Sequence, residues 1–88
     1  MTWSLEVSPE FEDDYRRHCG RNAGLRRAVD RKVEQLLTVP LHYKPLRPPL
    51  QGVRRVHIGP FVLLFEPDET REVVRLVRLA HHDVAYGI

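Results

Sequence analysis

Arg55 and His57 alternate along a run of strand-forming residues, and His82 and Tyr86 follow near the end of the chain. These are the side-chain types needed to bind a phosphodiester and cleave it without a metal. In RNA the neighbouring 2′-hydroxyl is the nucleophile: a base removes its proton, a cation holds the charge building on the phosphorane oxygens, and an acid protonates the leaving 5′-oxygen. Residues two apart on a strand share a face at about 6–7 Å, so Arg55 and His57 can bracket one phosphate. His82 and Tyr86 are spaced to share a face of a helical turn. Histidine suits either proton-transfer role because its unperturbed pKa lies near neutrality. His57 and His82 are therefore candidates for acid and base in either order, Arg55 for the phosphorane clamp, and Tyr86 for base stacking or proton handling.

Around this set lie candidates for contact with RNA: Lys44, Arg47, Arg54, Arg78 and His81. Arg54, Arg75 and Arg78 read equally well as plain surface charge, and His81 as a hydrogen-bond partner of its neighbours. His57, His81, His82 and Asp83 could also be read as metal ligands. Adjacent histidines on a regular element point apart, however, and none of the familiar ligand spacings is present, so neither metal nor cofactor is expected. Asp83 suits a cap on a short C-terminal turn.

The elements that must position these residues are legible in order. Trp3, Leu5 and Val7 alternate with Ser4 and Glu6, the period of a strand with one buried face. Ser8-Pro9-Glu10 reads as a helix start, and Phe11, Tyr15 and Cys19 form one narrow apolar stripe before Gly20 ends the helix. A second helix begins near Asn22, carries Leu25, Ala28, Val29, Val33, Leu36 and Leu37 on one face, and stops at Pro40. Leu41 to Gln51, with Pro45, Pro48 and Pro49, is an extended connector. Three strands follow, Gly52 to Ile58, Phe61 to Glu66 and Arg71 to Ala80, joined by turns at Gly59-Pro60 and Pro67 to Thr70.

Parity puts Val56 and Ile58 toward the helices, so Arg55 and His57 point the other way, beside Val62 and Leu64. The last strand is apolar on both faces, which makes it central in the sheet and leaves open whether Arg75 or Arg78 lies on the side of His57. The expected fold class is α+β: a two-helix antiparallel hairpin on one face of a mainly antiparallel four-stranded sheet, with a short C-terminal helical turn.

With 88 residues, the chain suits one domain, 1–88, with a single modest core. An apolar fraction of 42% and a charged fraction of 30% exclude a disordered tail. No apolar run approaches the ~20 residues of a membrane span. The N-terminus lacks the basic and apolar regions of a signal peptide, and one cysteine, Cys19, builds neither an intrachain disulfide nor a thiolate zinc framework. The expected compartment is the cytoplasm. The net charge of +2 is small, but only Lys32 and Lys44 among the basic residues are lysine. Arginine is the better fork for phosphate and the better stacker on bases.

In the order of its pieces the chain resembles the RelE/ParE superfamily of small toxins from prokaryotic toxin–antitoxin systems, and in its ending the archaeal members of the RelE branch. Those pieces are Lys44-Pro45-Leu46-Arg47, Arg54-Arg55-Val56-His57-Ile58-Gly59, Phe61 to Phe65, and His81-His82-Asp83-Val84-Ala85-Tyr86, and the likeness covers nearly the whole length. The resemblance implies an mRNA interferase: an endonuclease that cleaves the codon in the ribosomal A site and is held inactive by a cognate antitoxin, in an assembly compatible with a heterotetramer. It places Arg55 and His57 where the RelE branch has basic side chains, and maps the family's closing Arg and Tyr onto His82 and Tyr86. Many members carry an Arg after the aromatic of the penultimate strand, where this chain has Val62. Two other expectations remain open beside the nuclease: a ParE-like toxin that binds DNA gyrase without nuclease activity, and a catalytically impaired homologue that keeps antitoxin binding.

Overall fold

The computed structural model describes residues 2–49 and 52–85. In chain order the elements are β1 (Ser4–Val7), α1 (Pro9–Cys19), α2 (Ala23–Thr38), a 3-10 turn (Pro40–His42), β2 (Arg54–Ile58), β3 (Phe61–Asp68), β4 (Val73–His81) and α3 (His82–Ala85). The strands form one sheet in the order β1-β4-β3-β2. β1 runs parallel to β4, and the other two pairs are antiparallel. This is the expected α+β fold, a helix hairpin on one face of a mixed sheet with a helical turn at its end.

Local chemistry starts both helices where the sequence indicates. Ser8 caps α1, its Oγ accepting from the Phe11 N–H at 2.9 Å, with Pro9 at the first position. Asn22 caps α2 by accepting from the Leu25 N–H at 3.0 Å. The hairpin buries Phe11, Cys19, Val29 and Leu36 against Val56, Ile58, Leu63, Phe65, Val74, Leu76 and Leu79 of the sheet. Burial of side chains of this size contributes roughly 1.5–3 kcal/mol each. Tyr15 adds a tie between the helices, its hydroxyl donating to Asp30 Oδ1 at 2.8 Å.

The strands depart from the expected boundaries for identifiable reasons. β3 continues through Pro67 to Asp68, which pair with Val74 and Val73. Proline is tolerated there because the pairing with β2 stops at Phe65, so among the described residues Pro67 has a strand neighbour on one side alone. The turn is accordingly shifted: Asp68 Oδ1 accepts from the N–H groups of Thr70 and Arg71, Glu72 takes a positive φ of 52°, and β4 starts at Val73. Val53 lies before β2 and pairs instead with the connector, accepting from the Leu46 N–H at 2.8 Å beside a Pro45–Arg54 bridge.

One expectation about faces is corrected. Of the alternating residues of the first strand, Trp3 packs on the core, but Leu5 and Val7 are 46% and 37% exposed. They line an apolar groove of about 530 Å³ with Phe11, Tyr15, Val29 and Val33, because the hairpin leans over β4 rather than over β1. The face of Val62 and Leu64 is covered as well. Together with Ala80 they form a second buried cluster, closed by Leu46, Val53 and Val77, so the connector acts as a lid on that side.

Candidate functional site

The β2–β3 turn and the end of β4 meet at one corner of the sheet. Gly59, with φ of 57°, turns the chain, and the Pro60 carbonyl accepts from the His82 N–H at 2.8 Å, fixing the first residue of α3 against that turn. His57 stands opposite Val62, and Val62 opposite Ala80, so a row across the sheet leads from His57 to the residue two before His82. The His57 and His82 rings lie 5.9 Å apart between centroids, tilted by 35°, and both side chains are exposed. Arg55 lies one step back on the same face as His57, half-buried and opposite Leu64.

His81 is separated from this pair. It lies opposite Phe61, with ring centroids 5.7 Å apart, on the side of the helix hairpin. Its Nδ1 accepts from the Asp83 N–H at 3.3 Å, and the Asp83 carboxylate is within 3.7 Å of His81 Nδ1 and 3.6 Å of His82 Nδ1. Asp83 thus sits between the two histidines. The adjacent histidines point to opposite sides of the sheet end, and among the described residues no group of three or more His, Cys, Asp or Glu side chains is arranged to hold a metal ion. Tyr86 lies outside the described residues.

The candidate RNA contacts divide into two groups. Lys44 and Arg47 are exposed in the connector that runs beside β2. Arg54 and Arg78 are half-buried and bound by the protein itself. The Arg54 guanidinium donates to the carbonyls of Tyr43 and Leu41 and anchors the connector. Arg78 donates through Nε to Asp14 Oδ2 at 2.7 Å and through Nη2 to Oδ1 at 3.3 Å. Parity could not orient Arg78 because a β-bulge intervenes: Leu64 faces Arg78 and Phe65 faces Leu76, so Val77 is an extra residue.

Sequence reasoning missed two residues on α1. Asp14 is only 1% exposed, and it also accepts from the Leu79 N–H at 2.9 Å and from Arg17 at 2.8 Å. Burial alone pushes its carboxyl up, but the hydrogen bonds from Arg78 and Leu79 and the charges of Arg78 and Arg17 outweigh this and hold it below its usual value. His18 stacks edge-on against Phe61, with centroids 4.9 Å apart. Burial, then the positive charge of Arg17, pushes its pKa down despite Asp14. The signal was in the spacing, since positions 11, 14, 15, 18 and 19 make one helical stripe whose second and fourth members are an aspartate and a histidine.

A sheet corner with two facing histidines and an arginine behind them is a setting for acid–base chemistry on an anion. Comparison with known proteins adds the family. Residues 5–86 match the profile of the ParE toxin of type II toxin–antitoxin systems. The chain belongs to this family. RelE4 of Methanocaldococcus jannaschii is 35% identical over 85 residues, which cover 96% of this chain and 90% of that protein. In fold the toxin is similar to the RelBE2 toxin–antitoxin complex of Mycobacterium tuberculosis, with a TM-score of 0.79, 24% identity and 92% of each chain covered. It is similar also to a metal-bound toxin of Helicobacter pylori, with a TM-score of 0.77, 25% identity, and 94% and 98% of the two chains covered. This protein is therefore a RelE/ParE-type toxin of a type II toxin–antitoxin system.

Proposed function

We propose that the toxin is a ribosome-dependent endoribonuclease that cleaves mRNA in the A site by 2′-hydroxyl transphosphorylation. The observation that carries this reading is the His57–His82 pair, whose rings are 5.9 Å apart with Arg55 behind them on the same strand face. One imidazole takes the proton of the 2′-hydroxyl as its oxygen attacks phosphorus. The imidazolium opposite gives a proton to the 5′-oxygen as the P–O bond to it breaks. Arg55 neutralises the phosphorane oxygens. The products are a 2′,3′-cyclic phosphate and a 5′-hydroxyl, and no cofactor enters the balance. Tyr86 stacks on a base or handles a proton, Lys44 and Arg47 hold the RNA backbone, and His81 supports the corner from behind. Arg54 and Arg78 act through the fold. The site of action on this reading is the cytoplasm.

The partner that restrains the toxin is a cognate antitoxin. The groove supports such a surface, since it leaves Leu5 and Val7 of an edge strand exposed beside the half-buried Tyr15 and Val33 of the two helices.

The test adds purified toxin, free of antitoxin, to ribosomes programmed with a short labelled mRNA and reads the products by mass. Cleavage in the A-site codon with a cyclic phosphate end is expected, and His57→Ala or His82→Ala should each slow it by roughly 10²–10⁴-fold. Intact mRNA in the presence of folded toxin would overturn the nuclease. A second reading, a gyrase-binding toxin, is favoured by Val62, which fills with a buried methyl pair the place where many family members carry a cation. Inhibition of gyrase supercoiling that survives His82→Ala would establish it.

A further inference from the structure

β1 ends its pairing with β4 at Val7–Leu76. Beyond that point the outer edge of β4 has no strand neighbour among the described residues, and three groups of α1 and its cap take over. The Ser8 N–H donates to the Leu76 carbonyl at 2.9 Å, the Ser8 hydroxyl donates to the Val77 carbonyl at 2.7 Å, and Asp14 Oδ2 accepts from the Leu79 N–H at 2.9 Å. These bonds bracket the extra residue Val77.

The bulge reverses parity along β4. Before it, Val74 and Leu76 enter the core under the helices; after it, Leu79 does, and Ala80 joins the cluster on the other face. Continued alternation places His81 beside Phe61 on the hairpin side and leaves His82 to meet His57. A one-residue slip of a strand moves every later side chain to the opposite face. Without the bulge, His81 would stand where His82 stands.

We infer that Asp14 is a positioning residue, which by capping the Leu79 N–H beside the bulge fixes His82 rather than His81 against His57. This rests on the nuclease reading for its effect on rate, but its geometric part does not.

The experiment reads the two parts separately. In the wild-type toxin without ribosomes, a nuclear Overhauser effect between the ring protons of His57 and His82 reports the pairing directly. Asp14→Leu keeps the side-chain volume and removes the acceptor; because removing one partner of a buried ion pair is destabilising, the variant is compared with the wild type at a temperature where denaturant unfolding shows both to be folded. Asp14→Asn keeps an oxygen for the Leu79 N–H. The cross-peak is expected in the wild type and in the Asn variant and lost in the Leu variant. kcat for A-site cleavage should fall about 100-fold in the Leu variant, with KM nearly unchanged and most of the rate restored by Asn. A cross-peak and kcat unaltered by Asp14→Leu would overturn the proposal. Arg78→Gln probes the same device from the strand: the Asp14–Leu79 bond remains, so the cross-peak should persist, and its loss would transfer the role to Arg78 and overturn the assignment. If the wild type shows the cross-peak and its loss on Asp14→Leu but cleaves nothing, Asp14 keeps its positioning role and the nuclease reading falls alone.

Discussion

The Asp14 carboxylate, among the most buried polar groups in the chain, receives donors from α1 and β4 at once. Its folded pKa lies below the value of about 3.9 it has when unfolded. The resulting stabilisation is fully present above that unfolded value and is lost as pH falls through the folded one. Urea unfolding followed from pH 6 downward should therefore show stability declining below about pH 4, with a flatter decline in Asp14→Asn. Tyr15 responds in the opposite direction. Burial, then the hydrogen bond to Asp30 and its charge, push the phenol up to about 12. An ultraviolet titration should show a tyrosine ionising near 12 that disappears in Tyr15→Phe. Losing the hydroxyl should cost about 0.5–1.5 kcal/mol, toward the lower end because the bond is exposed.

At the level of elements, the turn and the connector are the parts that hold the corner. Gly59 adopts the left-handed region, so Gly59→Ala should lower stability by about 1–2 kcal/mol in denaturant unfolding without changing the core. Val62 gives a sharper case. It is 0% exposed, between His57 and Ala80 and packed against Leu46 of the connector and Val53 just before β2. Placing an arginine there to restore the family's usual cation would bury a charge and overfill a packed cluster. Val62→Arg should cost about 3 kcal/mol or more and should not raise the cleavage rate. The caps at Ser8 and Asn22 were legible because each rests on residues a few positions apart. The end of β3 was not, because Pro67 reads as a turn residue until the pairing shows that β2 has already ended beside it.

Across the whole molecule, the two broad faces differ in what they offer a partner. The corner with Arg55, His57 and His82 is suited to a polyanion, and the exposed Lys44 and Arg47 lie in the connector beside the start of β2. Affinity for ribosomes should fall steeply between low and physiological salt, as expected when bound counterions are released. A flat response would remove charge as the driver of docking. The groove beside β1 is apolar, and Leu5→Asp should weaken antitoxin binding by at least roughly tenfold while leaving unfolding by denaturant little changed, since Leu5 is 46% exposed.

Periodicity and local chemistry determined the elements, their order, the helix caps and the shared face of Arg55 and His57, because each of these depends on neighbours within a turn of helix or a few residues of strand. The resemblance carried by the order of those pieces led to the family. Tertiary structure alone decided the rest. Arg54 and Arg78 became internal anchors only when Tyr43 and Asp14 were brought to them, and Asp14 could be buried only because donors from both α1 and β4 converge on it. Which of two identical neighbours, His81 or His82, faces His57 depends on a single extra residue in β4. That residue is set by bonds between groups more than sixty positions apart, a separation at which no local pattern carries information.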